Sequence, residues 1–248
     1  TSRLQITPVA RYAFSRKQLS GILRIDFRTR GHRFTLEGGR YVHQYNSDEP
    51  IHHIVNSITT LFLEDNLMKL YERNYVDFKW RDRISDYVTA YTQWTWSRRS
   101  ELANQSDITW IDYKEKQYTP NAPVSVELPN TSFATHNAFV GVLGIETRPW
   151  QKFRVRNGNR QRVSNSSPIF TAEYRRGFGA LNSDVSYDML ELGIRQQMKF
   201  GIRGTLDILL KGGTFFSGSR MYFMDYKHFL GNRTPFVTTD PVGSYRLL

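Results

Sequence analysis

The feature that most constrains this chain is a long alternation of apolar and polar residues between Leu190 and Ile202. With one exception, Gln196, every second residue from Leu190 to Ile202 is apolar, and the residues between them are polar, charged or glycine. Successive side chains of a strand point to opposite faces. The pattern therefore predicts a β-strand with one apolar face and one charged face, and it runs far longer than an ordinary sheet requires.

The length of this alternation predicts a hairpin. As one strand, residues 186–214 would span on the order of 95 Å at about 3.3 Å per residue, whereas a transmembrane strand needs only about 9–11 residues. Gly201 and Gly204 mark the expected turn, and the apolar register resumes at Leu206. We therefore predict two antiparallel strands that share one apolar face.

The same period of two recurs along most of the chain, which predicts an all-β fold. Pro8 lies inside the first alternating run, which favours an edge strand because proline cannot donate a hydrogen bond to a sheet. The other predicted strands, beyond the hairpin, are residues 3–14, 21–30, 33–45, 75–80, 86–97, 138–148 and 169–177.

Composition agrees with a membrane-facing sheet. The mean hydropathy is −0.53 and no window approaches 18 uninterrupted apolar residues, so the sequence contains no helical membrane span. Alternating strands keep the mean polar even when one face meets lipid. Aromatic residues make up 14% of the chain, as in barrels with interfacial girdles, and the absence of cysteine excludes disulfides and thiolate metal sites.

One segment breaks the alternation, and its spacing predicts a helical insertion at about residues 48–72. Ile54, Val55 and Ile58 recur at helical spacing. Ser47 or Asp48 is the expected N-cap, and Pro50 suits the first turn. A second helical run is expected from Leu67 to Tyr71.

The connections predict an antiparallel up-and-down transmembrane β-barrel, of which this chain forms about ten strands. Short turns collect on one side and long connections on the other, with the segment around residues 149–168 as an outlier on the short side. Outer-membrane barrels show this asymmetry, with their long loops extracellular.

Two groups of charged residues are the candidate functional residues. The first lies on the polar faces of predicted strands and is expected to face a lumen, with opposite charges neutralising one another across strands. It comprises Arg24, Asp26, Arg28, Glu191, Arg195, Lys199 and Asp207. The second is a basic hairpin around the Asn157–Gly158 turn, expected at the rim of the barrel. It comprises Lys152, Arg154, Arg156, Arg160 and Arg162.

Catalytic and metal chemistry have little support in the sequence. Asp225 and His228 have the residue types of an acid–base couple for a rim hydrolase, but no activated serine or second carboxylate motif accompanies them. His52 and His53 are adjacent on a helix, so they point in different directions and make a poor metal pair. We expect no enzyme activity, no cofactor and no metal.

Several blocks resemble a known family. They are "PIHHIVNSITTLFLEDNLMKLYERNYVDFKW", "FTAEYRRGFGALNSDVSYDMLELGIRQQMKFGIRGTLDILLKGGTFF" and "FMDYKHFLGNRTPF". Together they are similar to large Bacteroidetes-type outer-membrane proteins in which a carboxypeptidase-like regulatory domain precedes a C-terminal β-barrel of unknown function. The resemblance implies an outer-membrane location, a regulatory-like domain upstream of Thr1 and closing strands beyond Leu248. We accordingly expect the chain to be a segment of a longer or processed protein.

These observations predict an outer-membrane barrel with a transport, assembly or structural role. The expected partners are outer-membrane lipid, lipopolysaccharide and other envelope proteins. The net charge of +11 leaves one alternative open, a soluble basic all-β domain that binds nucleic acid or an acidic glycan. Nucleic acid is not the expected partner, because only Phe153 interrupts the basic hairpin as a stacking residue. The rim hydrolase is the second alternative.

Overall fold

The computed structural model describes residues 2–14, 16–29, 31–49, 51–104, 108–113, 116–125, 130–156, 158–163 and 167–228. The strands are β1 (Arg3–Ala13), β2 (Gln18–Arg28), β3 (His32–Gln44), β4 (Leu70–Arg83), β5 (Val88–Glu101), β6 (His136–Thr147), β7 (Phe153–Arg156), β8 (Asn159–Arg162), β9 (Ile169–Gly177), β10 (Ser186–Lys199) and β11 (Thr205–Arg220). One α-helix, α1, spans His53–Leu63, and two short 3-10 turns span Gly201–Arg203 and Phe223–Asp225.

Nine of these strands form one antiparallel sheet in chain order, from β1 at one edge to β11 at the other. Strands β7 and β8 form a separate two-stranded hairpin inserted between β6 and β9. The predicted all-β antiparallel fold is confirmed, and Pro8 does lie in an edge strand. The Gly201–Gly204 turn is confirmed as well, since Lys199 pairs with Thr205 across it.

The helical insertion is shorter than predicted. The structure has α1 only at His53–Leu63, and its N-cap is His52, whose Nδ1 accepts the backbone N–H of Ile54 at 3.3 Å. The predicted caps are wrong because the preceding chain is fixed elsewhere: the side chain of Gln44 hydrogen-bonds both the N–H and the carbonyl of Ile51. Pro50 lies outside the described residues.

The second predicted helical run, Leu67–Tyr71, is also wrong. Leu70 and Tyr71 already belong to β4, where they pair with Gln44 and His43 of β3. The backbone hydrogen bonds of an available neighbouring strand outweigh a weak local helical spacing. No helix among the described residues is long and apolar enough to cross a membrane.

The sheet has an apolar face and a polar face, and its buried residues concentrate on the polar one. Cross-strand partners share a face, so a continuous row of the apolar face can be followed over the whole sheet: Leu4, Phe27, Phe34, Trp80, Thr92, Leu143, Tyr174, Leu190 and Thr214. Large apolar side chains of this face are exposed, among them Leu36, Val76, Leu143 and Leu192. On the opposite face Asp26, Glu37 and Asp77 are buried. This distribution is the reverse of that in a sheet packed on an apolar core.

The segment that follows β11 packs onto one end of the polar face. Met224 joins a buried cluster with Tyr45, Tyr71 and Phe133. The ring of Tyr222 stacks on His136 at a centroid distance of 3.5 Å. This segment, Met221–His228, therefore covers the polar face at the end where the long connections lie.

Candidate functional site: the polar face

The polar face carries buried carboxylates that each hold several donors. Asp26 accepts from Arg33 Nη2 at 2.9 Å and from Thr35 Oγ1 at 2.8 Å. Glu37 accepts from the Tyr75 hydroxyl at 2.6 Å and also pairs with Arg24. Buried carboxylates are retained only where donors satisfy them, so these contacts fix the arrangement of β2, β3 and β4.

The same pattern continues across β4 to β6. Asp77 accepts from Gln93 Nε2 at 2.9 Å and from Thr95 Oγ1 at 2.8 Å, and Lys79 Nζ lies 3.0 Å from its Oδ2. Glu146 pairs with Arg81 at 2.9 Å and with Arg148 at 3.0 Å.

Some of these contacts reach across an intervening strand. Arg81 on β4 meets Glu146 on β6, and the Tyr91 hydroxyl on β5 donates to Glu173 on β9 at 3.0 Å. Tyr91 passes over Gly144, where a Cβ would lie 2.0 Å from its ring. Side-chain contacts on the polar face therefore extend beyond adjacent strands, joining β4 to β6 and β5 to β9.

The predicted lumen-facing charges all lie on this polar face, but only some form the expected pairs. Arg24 and Asp26 are paired as described above, with Glu37 and Arg33 respectively. Arg28 has no side-chain partner within the described part of the chain, although its charge acts on Asp26.

On β10 the predicted ladder is partly wrong. Glu191 pairs with Lys227 at 2.9 Å and with Lys211 at 3.5 Å. Asp207 accepts from Gln197, and neither Arg195 nor Lys199 forms an ion pair with any described residue. The reason is register: Arg195 lies opposite Leu209, and Lys199 lies opposite Thr205, so neither faces a carboxylate. That these residues face a lumen stays a prediction.

The predicted basic hairpin exists and docks on the β4–β5 turn. Arg160 pairs with Asp86 at 2.9 Å, and Arg162 donates to the Asp86 carbonyl at 2.8 Å. Burial and the nearby charges of Arg83 and Arg148 lower the pKa of Arg162.

The other strand of the hairpin makes the apolar contact with the same turn. The ring of Phe153 packs edge-on against Tyr87 at 5.6 Å. Lys152, Arg154 and Arg156 remain exposed. Both strands of the hairpin thus contact the β4–β5 turn, and three exposed cations face the surroundings.

The structure does not bring Asp225 and His228 together as a couple. Asp225 pairs with the buried Arg99 at 2.8 Å, and its second oxygen accepts the backbone N–H of Tyr222 at 3.1 Å. His228 donates from Nε2 to the carbonyl of Phe223 at 2.7 Å, and burial lowers its pKa. Both residues therefore hold the Met221–His228 segment in place.

The part of the chain that the structure describes contains no candidate metal site. No three His, Asp or Glu residues gather there in a way that could hold an ion. His52 acts as the helix cap, and its ring centroid lies 6.4 Å from that of His53.

The sequence analysis did not single out several members of the network, notably Tyr75, Tyr91, Gln93, Glu146 and Glu173. Tyr75, Tyr91 and Gln93 lie on the polar parity of strands with clear alternation, so parity was the available indication for them. Glu146 and Glu173 lie in strands whose alternation does not define two clean faces. Their partners depend on sheet register and on contacts over a neighbouring strand, which alternation alone does not give.

Comparison with known proteins identifies a family. The model of the family of unknown function DUF5686, C-terminal domain, matches residues 1–248, and the chain belongs to this family. No curated protein and no solved structure matches it.

Proposed function

We propose that this member of the DUF5686 C-terminal domain family forms the wall of an outer-membrane β-barrel, with a transport, assembly or structural role and no catalysis. One observation carries the proposal: the sheet buries charged side chains on one face and exposes apolar side chains on the other. In lipid the exposed face needs no further cover, and the ladders between neighbouring strands satisfy the backbone groups within them.

The extent of the apolar face supports the proposal. It runs from β1 to β10 without a covering layer among the described residues, whereas soluble monomers rarely expose large contiguous apolar patches. In water each exposed apolar square ångström costs about 25 cal/mol relative to burial. A soluble basic domain would therefore need a partner over this whole face.

Aromatic residues lie at both ends of the apolar face. At one end of β9 Trp150 contacts Phe170 at a centroid distance of 6.1 Å. At its other end Phe178, the residue after β9, stacks at 5.8 Å with Trp94, which lies in the middle of β5. Phe170 and Phe178 are eight residues apart, which is roughly 26 Å at about 3.3 Å per residue. At the strand tilt of about 40° found in such barrels, this length projects to roughly 20 Å along the membrane normal, comparable to the apolar band of about 25 Å between aromatic girdles.

The proposal also assigns partners. Lipid is the partner of the apolar face, and the exposed cations Lys152, Arg154 and Arg156 lie near Trp150, where the phosphates of lipid headgroups would meet them. Envelope proteins and an upstream carboxypeptidase-like domain complete the proposed setting. In it the sheet closes into an up-and-down barrel with further strands.

A pair of substitutions tests the proposal. Leu143 and Phe14 are both exposed, at 53% and 84%, but Leu143 lies mid-strand on the apolar face and Phe14 lies in the β1–β2 turn. In a membrane, Leu143→Arg should cost about 2–4 kcal/mol and Phe14→Arg about 0–1 kcal/mol. Unfolding in lipid vesicles measures both free energies.

In a soluble protein the two substitutions would have the same small effect. Both substitutions would then change stability by less than about 0.5 kcal/mol, as exposed sites do. The wild-type protein would also leave the outer-membrane fraction in a high-salt wash, whereas a barrel stays in it. Either of these results would overturn the membrane assignment.

A further inference from the structure

Four cations line a single cavity on the polar face. The cavity has a volume of about 280 Å³ and lies on β2 to β5, and the cations are Arg24, Arg33, Lys79 and Arg81. Neutral polar groups of Thr35 and Gln93 line it as well. Like charges on neighbouring strands repel one another, so such a grouping requires a compensating arrangement.

Each of the four cations is compensated from beneath by its own carboxylate. The pairs are Arg24–Glu37, Arg33–Asp26, Lys79–Asp77 and Arg81–Glu146. The cation side chains are 46–50% exposed, while the carboxylate side chains are only 2–18% exposed. The carboxylates therefore form a buried layer, and the cavity presents the positive ends of all four pairs.

This layering also fixes the cations in position. Arg33 uses Nε and Nη2 on Asp26, which leaves its other guanidinium nitrogen available for a further acceptor. Lys79 is held 3.0 Å from Asp77, which Gln93 and Thr95 orient in turn. Cations held by buried partners lose little freedom when a ligand arrives, which is how supporting groups strengthen a binding site.

We propose that this cavity binds a small oxyanion carrying two or more negative charges, of phosphate or polycarboxylate type. Guanidinium groups match the geometry of such oxyanions, and several donors converging on one ligand add charge-assisted hydrogen bonds. The volume lies just below the 300–1,000 Å³ of typical ligand pockets, which favours a compact ligand. The inference goes beyond the barrel proposal and does not depend on it.

The test uses inorganic pyrophosphate and citrate as separate probes, titrated into the purified full-length protein at low ionic strength. Glu146 offers a matched pair of variants, because Arg81 and Arg148 contact it at 2.9 and 3.0 Å, but only Arg81 lines the cavity. Arg81→Gln should weaken binding by about tenfold or more, the loss expected for a charge-assisted hydrogen bond. Arg148→Gln removes the same charge and should leave the dissociation constant nearly unchanged.

Two results would overturn the site. One is that neither probe binds the wild-type protein. The other is that Arg81→Gln and Arg148→Gln weaken probe binding equally, which would indicate general electrostatic attraction. Binding of pyrophosphate alone or citrate alone would support the site and assign the ligand to the phosphate or the carboxylate class.

A second measurement needs no variant. Lys79 and Lys211 have side chains that are 46% and 45% exposed, and each pairs with a carboxylate. Bound pyrophosphate should protect Lys79 from an amine-reactive reagent and leave Lys211 reactive, as quantified by mass spectrometry. Equal modification of both lysines with and without pyrophosphate would contradict the proposal. Neither the titration nor the labelling requires a bilayer, so the result for the anion site is separate from that of the membrane test.

Discussion

At the residue scale, Gly39 shows how closely the backbones of β2 and β3 approach one another. Its φ is +146°, and a Cβ built there would lie 2.1 Å from the carbonyl oxygen of Gly21 on β2. Both the backbone conformation and the space exclude a side chain. The β2–β3 and β3–β4 registers run through Gly38 and Gly39 without a shift, so the glycine serves a close backbone approach and not a bulge.

Gly39→Ala should therefore destabilise the protein by about 1–3 kcal/mol, the range for backbone strain of this kind, or by more if β2 must move. Gly212→Ala is the matched control, because it lies in a strand and a Cβ there meets nothing within 4 Å. Equilibrium unfolding of the two variants measures the difference. Equal stabilities would show that the strands yield locally and that the strain is relieved.

Residue identity predicted the polar face well but its contacts poorly. Alternation alone placed Arg24, Asp26 and Arg28 together, because parity within one strand needs no partner. The Arg81–Glu146 pair could not be predicted in this way, since it joins β4 to β6 over β5. Such a contact requires the order and register of three strands.

At the element scale, the Met221–His228 segment depends on buried polar groups. Arg99 and Asp225 are both buried and paired, and His228 lies against the ring of Phe223 at a centroid distance of 4.5 Å. Burial lowers the pKa of His228 below its ordinary value of 6.5, and the neighbouring Lys227 acts in the same direction. The folded segment thus favours the neutral imidazole.

This pKa shift predicts the pH dependence of the segment. The unfolded segment binds the proton more readily, so the stabilisation is fully present above pH 6.5 and is lost as the pH falls through the folded-state pKa. The hydrogen-exchange protection of Met221–His228, taken relative to the intrinsic exchange rate at each pH, should accordingly fall on acidification. His228→Gln keeps a donor for the Phe223 carbonyl and should remove this part of the pH dependence. An unchanged pH profile in the variant would assign the effect to other groups.

Elements were predicted best where one pattern dominated. Both strands and the turn of the long hairpin follow from its alternation and glycines. The helical insertion was predicted too long, because Leu67–Tyr71 has a local spacing that also fits a strand and because β3 supplies the hydrogen-bonding partner. The hydrogen bonds from the side chain of Gln44 to the backbone of Ile51, which displace the start of the helix, could not be predicted from the sequence.

At the scale of the whole molecule, the two ends of the sheet differ in their connections. The helix, the β5–β6 connection and the β9–β10 connection lie at one end. The β2–β3, β4–β5 and β10–β11 turns lie at the other, with the β7–β8 hairpin. The proposed barrel would place the longer connections outside the cell.

Epitope insertion tests this orientation. A tag inserted between Ala180 and Leu181 should be labelled on intact cells, since Leu181 is exposed in the β9–β10 connection. A tag after Ile202, in the exposed β10–β11 turn, should be labelled only after the outer membrane is permeabilised. Labelling with the opposite preference would invert the orientation, and labelling of neither tag without cell lysis would argue against an outer-membrane location.

The order of the strands has a consequence for how the protein is built. Every ladder of the nine-stranded sheet joins strands that follow one another in the sheet and in the chain, with only the β7–β8 hairpin set aside. The sheet can therefore grow one hairpin at a time in the order of synthesis, with no strand waiting for a distant partner. Of the pairings in this sheet, the one between β5 and β6 closes the longest connection in the chain, so it carries the largest loop-closure entropy.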